Sequence, residues 1–186
     1  MPLSPESLSA NREVVAWFGT FDVAFEPDEE PWFAIDGIES PRQIANDGSG
    51  GAFVLLPSQA VLYVSSEGRA GIIADSFEAF VQLVVACPYW LDIVKFSAGG
   101  DLAEMRRAAI ALEATLDDED EDEVNEAREE IRATLDLPEP DDPVGALYEA
   151  VAASDAIVRA TDGSPFTTLF NRFSVDNNPM LRNAAA

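Results

Sequence analysis

The chain has 186 residues of which 47% are apolar, enough to bury a core, yet no apolar run reaches the roughly 20 residues that cross a bilayer, which excludes a membrane-spanning helix. Its 35 acidic residues face 11 basic ones, a formal net charge of −24. That balance excludes ordinary nucleic-acid binding, because phosphates are held by lysine and arginine and Lys95 is the only lysine present.

The first ten residues are polar and read as a flexible entry. Ser9 is placed to cap a helix over residues 11–18, in which Val14, Trp17 and Phe18 share a face and Gly19 supplies the stop. Residues 20–25 alternate apolar Phe21, Val23 and Phe25 with smaller or polar neighbours, the pattern of a half-buried strand. The acidic, proline-bearing run at 26–31 breaks it, and residues 32–35 form an aromatic segment suited to a short strand or an ordered loop.

Between Arg42 and Trp90, short apolar runs are separated by turn residues at close intervals, the signature of an antiparallel meander. Residues 43–46 lead into the loop Asp47-Gly48-Ser49-Gly50-Gly51. The runs 52–56 and 60–64 are apolar at every position, so both are expected as interior strands covered on two faces. Residues 57–59 and 65–69 supply the reversals, and 71–74 closes the meander. At Asp75 the period becomes helical: Asp75 and Glu78 have capping-box spacing, and Phe77, Phe80, Val81, Val84 and Val85 recur at threes and fours. This helix is predicted over 76–87 and ends at Pro88, with a short helical restart over 89–96 and a break at Gly99-Gly100.

Beyond Gly100 the pattern is helical. Leu102, Met105, Ala109, Leu112 and Leu116 form one stripe, predicting a helix over 101–116. Seven consecutive acids follow, Asp117, Asp118, Glu119, Asp120, Glu121, Asp122 and Glu123, read as a solvated linker between helices or as an electrostatic docking face. Val124, Ala127, Ile131 and Leu135 form a second stripe, ended by Pro138 and Pro140. Val144, Leu147, Tyr148, Val151 and Val158 form a third, running to about residue 159. From Thr161 the chain is expected to be a partly ordered tail docked through Phe166, Leu169, Phe170 and Phe173.

Catalysis has little to stand on. The chain has no histidine, which removes the commonest general base and metal ligand, and its one cysteine, Cys87, sits on an apolar helix where a buried hydrophobe is the simpler role. The glycine loop lacks the lysine of a phosphate loop, and the acidic run lacks the central glycine of a calcium loop. Carboxylates are so numerous that no particular pair is singled out for hydrolysis. No catalytic residue, cofactor or metal is therefore assigned. A lone cysteine fits a reducing compartment, and the opening Met1-Pro2-Leu3-Ser4-Pro5-Glu6 lacks the features of a secretory signal, so a cytoplasmic protein is expected.

The segment from Ile44 to Trp90 resembles the SUKH superfamily, the Smi/Knr-like proteins that serve bacteria chiefly as immunity proteins against toxins. Residues 44–51 look like that family's glycine-rich turn, and Phe53-Val54-Leu55 like the strand after it. Val61-Leu62-Tyr63-Val64 with Glu67-Gly68 is similar to its central hairpin, and residues 73–80 to its strand-to-helix junction. The helices after Gly99 have no counterpart in the family's minimal domain. An α+β fold is expected, a small antiparallel sheet flanked by helices over 1–98 and a helical C-terminal extension over 99–186. The resemblance implies a non-catalytic immunity protein that blocks a cognate toxin by stoichiometric binding, with a cytosolic scaffold or regulatory role as the alternative. A surface this acidic suits a basic protein partner, such as a nuclease toxin, although a uniformly acidic proteome produces the same surface for solubility alone. The candidate partner-binding residues are Glu29, Glu30 and Trp32, an aromatic among acids, together with the run Asp117 to Glu123.

Overall fold

The computed structural model describes residues 3–26, 31–116 and 118–185. Among them are eight α-helices, two short 3-10 turns and two antiparallel sheets, an α+β fold. Ser4 caps α1 (Pro5–Ser9) through a capping box with Ser7, and Asn11 caps α2 (Arg12–Trp17) by accepting from Val14 N at 3.3 Å. Ser9, expected as that cap, is instead the last residue of α1. Residues 20–25 are not a strand: a 3-10 turn over Phe18–Phe21 ends on left-handed Asp22 (φ 56°), and only Ala24 pairs in ladder fashion, with Asn46. Phe21, Val23 and Phe25 are buried all the same.

The meander forms as the turn residues dictate. β2 (Arg42–Asn46), β3 (Ala52–Leu55), β4 (Val61–Val64) and β5 (Ala70–Ala74) lie in the order 2-3-4-5, each antiparallel to the next. Gly68 (φ 81°) makes the β4–β5 reversal in a conformation that side chains disfavour. β3 and β4 are buried at every position because both sheet faces are covered. On one face Phe53 and Tyr63 pack on Trp90, with ring centroids 6.0 and 4.9 Å away, and Phe53 also packs on Phe80 at 5.0 Å. On the other, Val54, Leu62 and Val64 join a second apolar cluster with Phe33, Ile35 and Val158. These three belong to a two-stranded ribbon of β1 (Phe33–Ile35) and β6 (Val158–Ala160). Val158 is thus a strand residue, not the end of the third helical stripe: α7 (Pro143–Ala152) stops earlier, and the Ser154 hydroxyl accepts from Ile72 N at 3.0 Å.

Ser76, rather than Asp75, caps α3 (Phe77–Ala86) by accepting from Ala79 N at 3.1 Å, and Cys87 closes it before Pro88. α4 (Trp90–Lys95) is the expected restart. In α5 (Leu102–Glu113) the fully buried face is Met105, Ala108 and Ala111, so the predicted leucine stripe is rotated and Leu102 and Leu112 are only half-buried. The acidic run does not link helices. From Asp118 onward it is the beginning of α6 (Asp118–Leu135), whose buried face is Val124, Ala127 and Ile131 as the spacing predicts. The stretch after Ala160 lies against the edge of β5, where Thr167 N donates to Gly68 O and Ala70 N to Thr167 O. Leu169 is buried there and Phe170 stacks on Tyr148 at 5.7 Å, whereas Phe173, expected to dock, is 48% exposed. The chain closes with α8 (Pro179–Ala184), which packs through Leu181 beside α5. The main apolar cluster runs from Leu8 to Leu169 and draws on both sides of residue 98.

A candidate acidic docking face

α6 opens on a string of carboxylates because negative charge at a helix N-terminus is favoured by the exposed amides and the helix dipole. Its apolar residues recur at threes and fours and seat it on α2, α3 and the 18–21 turn. Glu121, Asp122, Glu126, Glu129 and Glu130 lie off that stripe and are exposed, while Asp120 and Glu123, also exposed, stand in or beside its register. Glu123 is tethered to the body by the Thr20 hydroxyl, which donates to it at 3.3 Å.

The two arginines of α6 do not offset this charge at the surface. The Arg128 side chain is only 12% exposed and donates to both carboxylate oxygens of Glu113, at 2.7 and 3.1 Å. It also donates to the carbonyls of Val85 and Ala86, each at 3.1 Å, the orphan acceptors at the end of α3. Arg132 leans toward Glu139, 3.5 Å away. Both cations are engaged within the molecule, and what α6 presents outward is carboxylate.

Compared with protein-family models, curated proteins and solved structures, the chain matches none.

Of the remaining candidate residues, only Trp32 can be compared with this face, and it is not gathered with it. Glu29, Glu30 and Asp117 lie outside the described residues, and Asp118 and Glu119 fall in the first turn of α6. Trp32 is half-buried, edge-on to Phe33 at 5.2 Å and tilted against Phe166 at 5.9 Å, within the second apolar cluster. The four-stranded sheet therefore stands between Trp32 and α6, whose buried residues belong to the first cluster. Cys87 is buried, and that burial pushes its thiol up to about 11 despite the neighbouring Arg128, so the reactive thiolate is scarce at neutral pH. Among the described residues no group of three side chains is arranged to hold a metal ion.

One feature of the surface has no linear signal. A groove of about 890 Å³ opens between α3 and α7, floored by Ile73, Phe77, Leu83 and Leu147 and edged by Asp75, Glu78 and Glu149. Some 60 residues of chain separate its two walls, so only folding brings them together.

Proposed function

We propose that this protein acts without turnover, as an acidic immunity protein of the SUKH (Smi/Knr-like) type that neutralises a cognate bacterial toxin in the cytoplasm by stoichiometric binding. The observation that carries the reading is the outer face of α6, where carboxylates stand exposed while Arg128 is turned into the body and Arg132 leans toward Glu139. Such a face occupies a basic cleft in place of the phosphates that a nuclease substrate would present, and it speeds encounter with the partner by electrostatic steering. The order of β2 to β5 followed by the Phe-rich α3 supports the family reading, since the resemblance rests on that order.

The test is co-expression with the toxin encoded beside this gene, together with calorimetry on the purified pair. Protection and one-to-one binding are expected, with affinity falling steeply between low and high salt as the Debye length shrinks. Asp122→Lys/Glu126→Lys/Glu129→Lys, at exposed positions, is expected to weaken binding at least tenfold with the fold unchanged. Absence of both binding and protection overturns the proposal.

A further inference from the structure

The groove between α3 and α7 has features that the acidic face of α6 lacks. Its floor is apolar: Ile73, Ala74, Phe77, Leu83 and Leu147 line it, each at most 5% exposed. Alanines stand on both walls, Ala79 on α3 and Ala146 with Ala150, one turn apart, on α7, with Gln82, Pro140 and Pro143 toward one end. Where the alanines face the groove, another backbone can approach closely. Both walls are fixed before any partner arrives, α3 by the Ser76 cap and α7 by the Asp142 carboxylate, which accepts from Gly145 N at 3.0 Å.

The rim decides the charge of the occupant. Asp75 and Glu78 stand exposed on the α3 side and Glu149 on the α7 side, and among the described residues no basic one lines the groove. A small ligand is usually oriented by a few polar groups converging at the base of its pocket. Here the base is hydrocarbon, and the charges are spread along two opposite edges. That arrangement matches an elongated occupant with an apolar face below and cations at its flanks, which is the helix-in-groove mode of recognition.

We propose that this groove is the seat for an amphipathic helix of the basic partner, entering with its apolar face and pairing flanking lysine or arginine with Asp75, Glu78 and Glu149. The inference deepens the binding role above and rests on it for the partner's charge. Hydrophobic anchorage in the groove supplies residence time, and the outer face of α6 supplies the rate of encounter.

The test needs no toxin. The full-length protein is immobilised and panned against a displayed library of random peptides of about sixteen residues, roughly four helical turns. Enriched sequences are expected to carry apolar residues at helical spacing with lysine or arginine beside them. Their affinity is expected to fall at least tenfold in Ala150→Trp, which fills the groove, and in Glu78→Lys/Glu149→Lys, which reverses its rim at exposed positions. Glu39→Lys/Glu67→Lys changes the net charge equally at exposed sites away from the groove and is expected to leave affinity within twofold at moderate salt. No enrichment, or enrichment indifferent to the groove variants, overturns the inference, as does dimerisation through this face that Ala150→Trp abolishes. Groove-dependent peptides in a protein that protects against no neighbouring toxin uphold the groove and sink the immunity reading. Protection without groove-dependent peptides sinks the groove alone.

Discussion

The hydroxyl of Tyr63, a side chain wholly buried in the core, donates to Asp47 Oδ2 at 2.5 Å. The other oxygen of the same carboxylate accepts from Ser49 N, the Ser49 hydroxyl and Gly51 N at 2.9, 2.7 and 2.8 Å. One aspartate thus closes the glycine loop ahead of β3 and satisfies the only polar side-chain atom of a core residue on β4. Burial raises the Tyr63 phenol, and the adjacent Asp47 charge raises it further, so the proton stays on the tyrosine. Gly51 belongs to the same arrangement, since a Cβ there would collide with both the Tyr63 hydroxyl and the Asp47 carboxylate.

Tyr63→Phe keeps the ring contacts with Phe53 and Trp90 and deletes only the donor. It is expected to lower unfolding free energy by about 1 to 3 kcal/mol, the cost of leaving a part-buried acceptor without its partner. Urea denaturation measures the loss. Unchanged stability would show that the loop holds itself without the core.

Arg128 joins three helices, binding Glu113 of α5 and the terminal carbonyls of α3 from its own place on α6. Arg128→Met preserves much of the apolar stem and removes all of these bonds. A loss of about 2 to 3 kcal/mol is expected, below that of a fully buried ion pair because Glu113 is 42% exposed. Arg128→Lys should recover little of it, since a lysine ammonium lacks the planar fork that reaches Glu113 and both carbonyls together. Thermal unfolding of the pair of variants checks this ranking.

Asp142 caps α7, and its carboxyl lies below the ordinary aspartate range because Gly145 N donates to it and Arg106 stands beside it, 2.6 Å away. A depressed folded-state value means that the contribution is present above the ordinary value of about 3.9 and is lost as pH falls through the folded one. Asp142→Ala is accordingly expected to cost about 1 kcal/mol at pH 7, with the gap from the native protein narrowing below about pH 4. Asp142→Asn retains a good cap and should lose less, and its deficit should shrink with added salt as the Arg106 pairing is screened. Unfolding curves across pH and salt test both statements.

Among the described residues, Gln43 is the exception to a well-satisfied interior. Both polar atoms of its side-chain amide are inaccessible and without a protein partner. Gln43 pairs with Val54 in the β2–β3 ladder, and Val54 faces the second apolar cluster, so the amide lies on the apolar side of the sheet. Gln43→Met, of similar length, is expected to stabilise the fold by about 1 kcal/mol by removing the cost of desolvating that amide. A destabilised variant would point to a buried water bonded to it.

Much of the local structure was determined by the sequence alone. Runs such as 52–56 and 60–64, apolar at every position, belong to strands covered on both sides, and turn residues at 57–59 and 65–69 leave an antiparallel meander as their natural connection. The threes and fours of Phe77 to Val85 and of Val124 to Ile131 dictate α3 and α6 together with their buried faces. These features follow from neighbours in the chain, because side-chain period and turn chemistry act over a few residues.

Tertiary structure decided the rest. Val158 continues a helical stripe on paper yet pairs with Ile35, more than a hundred residues away, because the second face of the sheet needs a cover. The acidic run reads as a linker until α2, α3 and the 18–21 turn offer the apolar seat that holds Val124 and Ala127 in a helix. The negative sign of α6 is legible in its sequence, but Arg128 carries no local sign that it will turn to Glu113 and the carbonyls of Val85 and Ala86. The groove between α3 and α7 is likewise invisible in one dimension. Its walls meet only because each buries its other side in the common core, and proximity of that kind is produced by packing rather than by any local preference of the chain.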